Sequence, residues 1–314
     1  AEQEDLIDHG AAAMLVRLLY ASRVAATSDA EALASIVRQS KRHNAEHGIT
    51  GVLCCSGGVF LQALEGSRAA VFAETAQSGN DESLFKTIEA MDEIAKEIHF
   101  AGNQSDIKVI ILRSEGDKAF CAGASFDELM QINTAEAGLA FFSGFAHVIN
   151  AMRKCPKFII ARVQGKCVGG GVGLAAAADY TIAVEGADIK LSELAVGIGP
   201  FVVGPAVERR IGVSAFSALA IDAAMWRNSD WAKKKGLFAE VHPNTESMDE
   251  SVNRLANSLA HSSPEAMAEL KKITWHGTEH WDKLLLERAA ISGRLVLSEF
   301  TRNAIQKFKA KQVK

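Results

Sequence analysis

Two glycine-bearing turns and one carboxylate hold the residues of this chain whose types and spacing could do chemistry. The first turn is Gly169-Gly170-Gly171-Val172-Gly173-Leu174, which follows the apolar run Phe158 to Val163 and opens into Ala175 to Ala178 and Asp179. The order reads as strand, tight turn, helix start. Glycine lets a backbone come close to a ligand, and the free N–H groups of a helix N-terminus favour negative charge. Such a turn can hold an oxyanion. It does not fit a nucleotide phosphate cradle, because Lys166 precedes the glycines and no Gly-Lys-Ser/Thr follows them. The plainer reading is that the glycines let the helix pack tightly on a sheet. The second turn lies within Ala119-Phe120-Cys121-Ala122-Gly123-Ala124-Ser125-Phe126-Asp127-Glu128-Leu129, after the buried-strand pattern Ile107 to Leu112. The carboxylate is Glu193, in the apolar stretch Ile189 to Pro200. Apolar surroundings would raise its pKa and suit it to act as base and then as acid near neutrality. The alternative is a surface glutamate at a loop or helix start after Ser192.

The segments Phe-Cys-Ala-Gly-Ala-Ser and Gly-Lys-Cys-Val-Gly-Gly-Gly-Val-Gly-Leu, in this order, resemble the crotonase superfamily of enoyl-CoA hydratases and isomerases. The resemblance extends over about residues 79–311 and takes in Asp188 to Pro200 and the closing Leu284-Leu-Leu-Glu-Arg-Ala. It implies an α/β fold of repeated β-β-α turns with C-terminal helices, and an acyl-coenzyme A substrate used in fatty acid metabolism. It also implies an oxyanion hole of two backbone N–H groups, which map to Ala124 and Gly170, and a homo-trimer or dimer of trimers. No cofactor is required, since coenzyme A is part of the substrate. Hydratases of the family carry two glutamates. Here the first position is Gly173 and the second is Glu193, so the pattern looks like the single-glutamate isomerases, with hydration as the other reaction. A catalytically silent scaffold is the third reading that Gly173 leaves open. Asp127, Glu128 and Glu208 are read as solvated carboxylates.

The front of the chain has a different character. Met14 to Arg23 reads as a strand, Asp29 to Asn44 as a helix, and Gly48 to Cys55 and Val59 to Glu65 as two further strands. This βαββ block, about residues 14–68, resembles the BLUF domain, a flavin-binding blue-light sensor. Tyr20, Asn44 and Gln62 stand at its flavin-site positions, and the resemblance would bring FAD or FMN. The competing function is therefore a flavin sensory module fused to a crotonase scaffold, by nature or by engineering. The family's later helix and Trp/Met-bearing strand are not found after residue 68; Phe100-Ala101-Gly102 faintly resembles that half, although the crotonase reading takes it as a loop before a strand. A structural alternative has Val59 to Glu65 and Ala70 to Thr75 forming a hairpin through Gly66-Ser67-Arg68. The divisions are then 1–13, a tail; 14–71, the partial BLUF-like segment; and 72–314, the acyl-CoA domain.

A chain of 314 residues with 48% apolar content can bury a large core. Its net charge of −4, without a basic block, gives nucleic-acid binding little support. The apolar runs fall far short of the ~20 residues that cross a bilayer. An acidic N-terminus offers no signal-peptide pattern, so no membrane role and a cytoplasmic location are expected. Cys54, Cys55, Cys121, Cys155 and Cys167 show neither metal spacing nor a disulfide framework, so no metal site is expected. Cys121 and Cys167 read as small buried packing residues. In the C-terminal third, helices are expected over Ser214 to Ala224, over Asp230 to Lys235, from Ser263-Pro264, and as one amphipathic region from Trp281 to Phe308.

Overall fold

The computed structural model describes residues 15–23, 50–56, 59–67, 87–114 and 118–312. Three strands come first: β1 (Leu15–Arg23), β2 (Thr50–Ser56) and β3 (Val59–Ser67), antiparallel in the order β1-β3-β2. Their register sets Tyr20 opposite Gln62. The helix expected over Asp29 to Asn44, Asn44 itself and the strand expected over Ala70 to Thr75 lie outside the described residues. Gly66 and Ser67, expected to turn a hairpin, instead extend β3 and pair with Val16 and Leu15. The ladder with β1 gives their backbone groups partners that a turn would leave to water.

From Thr87 onward the chain winds in repeated units. α1 (Thr87–Asn103) leads to β4 (Ile110–Arg113), the bridge residue Cys121, α2 (Phe126–Gln131) and α3 (Ala135–Lys154). β5 (Ile159–Val163), β6 (Cys167–Val168) and α4 (Gly170–Ala177) form the second unit. β7 (Tyr180–Val184), β8 (Ile189–Lys190), a 3-10 turn (Leu194–Val196) and α5 (Gly204–Ile221) form the third. In each unit the first strand joins a parallel sheet of order β4-β5-β7, which β9 (Glu240–His242) closes. The second strand joins a smaller parallel layer of Cys121, β6 and β8. Two stacked parallel layers leave little room for polar residues, and every residue of β5 is buried. Its one charge, Arg162, is met by both carboxylate oxygens of Asp249.

The C-terminal helices are α6 (Ser229–Lys234), α7 (Thr245–Ala260), α8 (Pro264–Thr274), α9 (Trp281–Leu295) and α10 (Glu299–Gln312). Ser263 caps α8 as its type and the following proline predict. The single region expected from Trp281 to Phe308 is two helices. The chain leaves α9 at Val296, and the Ser298 hydroxyl accepts from the Thr301 N–H to start α10. Phe100-Ala101-Gly102, expected in a loop, belongs to α1, where Ala101 is buried against the core. Helical spacing of Ala95, Ile98 and Ala101 on one buried face overrides the loop reading.

α9 crosses α3 where two glycines meet. A Cβ on Gly293 would lie 2.6 Å from the Gly138 carbonyl carbon and the Leu139 nitrogen, which are backbone atoms with no rotamer to yield. Gly293→Ala is therefore expected to force the helices apart and remove about 1–3 kcal/mol of stability. A urea titration should show a lower midpoint with an unchanged slope; an unchanged midpoint would mean that the crossing relaxes freely.

Candidate functional site

The two glycine turns are stitched together by backbone bonds. Phe120 and Cys121 N–H both donate to Lys166 O, Val168 N–H donates to Cys121 O at 2.9 Å, and Cys121 bridges Cys167 in parallel. These bonds bring the Gly123-Ala124 turn alongside the Gly169-Gly170 turn. Gly123 has φ 88° and Gly169 has φ 54°, conformations that a side chain disfavours. Ser125 then caps α2, and Gly169 starts α4.

Gly170 is the first residue of α4, so its N–H has no carbonyl a turn back within the helix. Neither it nor the Ala124 N–H donates to a backbone carbonyl among the described residues. α4 itself is buried almost all round, because only glycine, alanine and small aliphatic side chains let a helix sit inside the core. Its dipole points its positive end at the turn.

Glu193 reaches the same place from β8. Cys167 N–H donates to Asp188 O and Gly169 N–H to Lys190 O, each at 2.9 Å, which fixes β8 against the glycine turn three residues before Glu193. The 3-10 turn follows, ended by Gly197 at φ 83°. A Cβ on Gly169 would stand 3.1 Å from Glu193 Oε1, so the carboxylate lies directly over the turn. The residue as a whole is partly exposed, but Oε2 is buried and has no hydrogen-bond partner. Burial pushes its pKa from 4.5 up to about 7.

The position one helical turn after Gly169 is Gly173, whose N–H bonds back to Gly169 O. No carboxylate stands there. A Cβ on Gly173 would meet Val203 Cγ1 at 2.4 Å and Cβ at 2.6 Å, so Val203 fills the place. Cys121 is half-buried, and burial raises its thiol pKa, partly offset by the Gly123 and Gly171 N–H groups that face it. Cys167 is fully buried and its thiol is raised further. Neither thiol is in the activated range.

A small apolar core of Leu129, Ile132, Phe141, Val196, Ile198, Val296 and Ile305 ties α2, the turn after Glu193 and the C-terminal helices together. Beside it, Ala195, Phe300, Asn303, Ala304, Lys307 and Phe308 line a cavity of about 370 Å³. Another cavity, of about 380 Å³, lies around Asp179, Arg209, Arg210 and Trp275. That one opens at the far end of α4, roughly 10 Å along the helix axis from the turn, and does not include the carboxylate.

The structure thus gathers Ala124, Gly170 and Glu193. Asp127 is partly exposed and paired with Lys309, and Glu208 is exposed. Glu128 departs from the solvated reading: it is 7% exposed and accepts from the Thr87 N–H at 3.1 Å, at the N-terminus of α1. Only tertiary packing puts that helix start beside α2, so no local pattern could have assigned it. Val203 and Phe145, which press on Gly173 and Gly170, were likewise invisible as site residues. Tyr20 and Gln62 are opposite each other on β1 and β3, away in sequence from this site. Among the described residues no group of three or more His, Cys, Asp or Glu could hold a metal, and no helix is long and apolar enough to cross a membrane.

Comparison with known proteins agrees with this fold. Residues 86–310 match the family described as enoyl-CoA hydratase/isomerase, and residues 15–105 match the family described as sensors of blue-light using FAD. The mitochondrial methylglutaconyl-CoA hydratase of Homo sapiens is 30% identical over 201 residues, covering 63% of this chain and 58% of that protein. The peroxisomal Delta(3,5)-Delta(2,4)-dienoyl-CoA isomerase of Arabidopsis thaliana is 27% identical over 202 residues, covering 60% of this chain and 71% of that protein. The match spans 56% of the Alternaria alternata enoyl-CoA hydratase AKT6-1 and 60% of the mouse methylglutaconyl-CoA hydratase. In fold, the enoyl-CoA hydratase from Bacillus halodurans superposes with a TM-score of 0.64 at 21% identity, over 70% of this chain and 89% of that one. With more than half its length in one family match, this chain belongs to the enoyl-CoA hydratase/isomerase family.

Proposed function

We propose that this chain is an acyl-CoA enzyme that forms a thioester enolate and moves the proton with a single carboxylate, the chemistry of an enoyl-CoA double-bond isomerase. The observation that carries the reading is the Glu193 carboxylate, which lies over the glycine turn at the start of α4, with its Oε2 buried without a hydrogen-bond partner and its pKa raised by burial to about 7. Ionised Glu193 takes a proton from the α-carbon of a β,γ-unsaturated thioester, and the C–H electron pair moves toward the thioester oxygen. The Ala124 and Gly170 N–H groups receive the charge that develops on that oxygen. Protonated Glu193 then gives the proton to the γ-carbon, and the double bond ends conjugated with the carbonyl. No cofactor enters, because coenzyme A travels with the substrate. The exposed apolar residues Val213 and Ile221 of α5 and Met225 after it suit a subunit contact, in a homo-trimer or a dimer of trimers.

The base must be ionised to start the reaction. Since burial raises this acid, kcat/KM should climb with pH through about 7 and level off above it, rather than near the ordinary 4.5. Absorbance of the conjugated product, recorded with β,γ-unsaturated acyl-CoA from pH 5 to 9, checks both claims. Hydration of an α,β-unsaturated substrate without any double-bond movement would replace isomerase by hydratase.

A second reading rests on the match of residues 15–105 and is supported by the register of β1 on β3, in which Tyr20 pairs with Gln62. It proposes FAD or FMN at Tyr20, Asn44 and Gln62. A flavin spectrum in the purified protein supports it; colourless protein that takes up no added flavin contradicts it.

A further inference from the structure

Glu128 is a buried acid to which the isomerisation gives no part. It follows Ala124 by one helical turn and is 7% exposed. Burying a carboxylate is costly unless its oxygens accept hydrogen bonds. Here Oε1 accepts from the Thr87 N–H at 3.1 Å and Oε2 accepts from the Thr87 hydroxyl. Thr87 is the first residue of α1, whose leading N–H groups have no carbonyl within the helix and lie at the positive end of its dipole. Glu128 therefore does for α1 what a capping side chain does, from 41 positions further along the chain.

The same residue is tied to the first glycine turn. Its N–H donates to the Ser125 hydroxyl at 3.4 Å and the Leu129 N–H to Ser125 O at 3.0 Å, which closes the first turn of α2 directly after Ala124. Ala124, next to Ser125, and Ile88, next to Thr87, pack against one small apolar core. From Thr87, α1 runs over α3, where a Cβ on Gly144 would meet Met91 Cβ at 3.0 Å. The residue after Gly144 is Phe145, whose ring presses on Gly170. One frame of contacts thus runs from Ala124 through Glu128, Thr87, α1 and α3 to Gly170. Taking Ala124 and Gly170 as the oxyanion donors of the proposed reaction, we infer that Glu128 is a positioning residue that sets the spacing of the two N–H groups by locking α2 to the start of α1. It touches no reacting atom. Donors carried on separate segments converge on one oxygen only while those segments are held at a fixed distance, and a misplacement of about 1 Å costs on the order of 100-fold in rate.

The test reads the thioester carbonyl as well as the rate. A saturated acyl-CoA carrying 13C at the carbonyl is bound to the protein, and its C=O stretch, which falls when donors hold the oxygen, is measured by infrared difference. Glu128→Ala should lose part of the wild-type fall, and its kcat for a β,γ-unsaturated acyl-CoA should drop about 10–100-fold with KM little changed. Glu128→Gln, which still accepts from the Thr87 N–H, should recover most of both. Asp127→Asn, at the partly exposed acid one position earlier that pairs with Lys309, should match the wild type. Thr87→Val removes only the hydroxyl and should give a smaller change of the same sign; it decides the matter where Glu128→Ala does not fold. A lower urea midpoint with wild-type carbonyl stretch and kcat, in Glu128→Ala or in Thr87→Val, would make Glu128 a helix cap alone and overturn the inference while the oxyanion reading stands. A wild type that binds the thioester without shifting its carbonyl stretch would remove the oxyanion reading and the inference together.

Discussion

Glu193→Gln is expected to lower isomerisation of a β,γ-unsaturated acyl-CoA by about 10²–10⁴-fold, the range that a positioned acid/base supplies. The change keeps the size of the side chain and its place over Gly169, and removes only the titrating proton. It should leave KM nearly unchanged, since the oxyanion donors and the acyl pocket are untouched. The same variant should be more stable than the wild type at alkaline pH. The folded carboxylate titrates at about 7 against 4.5 when unfolded, so the folded state holds a proton between these values that the unfolded state has lost. Wild-type stability then falls as pH rises from 4.5 to 7 and stays low above. Glutamine escapes this, and its advantage should be on the order of 2–3 kcal/mol at pH 8 and close to zero at pH 4. Thermal or urea unfolding at the two pH values reads the difference. An advantage independent of pH would show that burial of charge is not its source.

Gly170→Ala should cost about 100-fold or more in kcat/KM. The added Cβ would fall 2.1 Å from Phe145 Cε1 and 2.6 Å from Cζ, so either the ring or the start of α4 must move. Phe145 is 6% exposed and packed in the main core, which makes the turn the part that yields. A shift of an ångström at an oxyanion donor is enough for a loss of this size. Phe145→Leu in the same chain removes the ring atoms in conflict and should return part of the activity. Steady-state kinetics of the single and double variants decides: no recovery would place the loss somewhere other than the Gly170–Phe145 contact.

How much of this was legible in the sequence varies with the range of the interaction. The strand-turn-helix around Gly169 to Gly173 is local, and its glycines announce a backbone brought close to something. The environment of Glu193 followed from its apolar neighbours, Ile189, Leu191, Leu194 and Val196, because the segment that carries it is itself the wall of the site. The Ser263 cap and the strand at Ile159 to Val163 were equally local. What escaped was set by distant chain. Glu128 looked like a helix-surface acid until Thr87 docked on it. Gly173 looked like an absence, and only the approach of Val203 from α5's entrance makes it half of a fitted pair. The break between α9 and α10 escaped because the apolar spacing continues across Val296 to Ser298 and says nothing of a change in direction. At the front, the three expected strands form in the order β1-β3-β2, whereas the turn assigned to Gly66-Ser67 lost to nine residues of pairing with β1.

The most direct test of the central claim is solvent exchange of the α-proton of a saturated acyl-CoA, which can form the enolate but has no double bond to move. The protein is incubated with the thioester in D2O and the α-carbon is followed by proton NMR, for wild type and Glu193→Gln. Enolate formation at this site predicts exchange well above the buffer rate in the wild type and none above it in Glu193→Gln. Exchange at equal rates in both proteins would contradict the assignment of Glu193, and a wild type that binds the thioester without exchanging it would contradict enolate chemistry at this site.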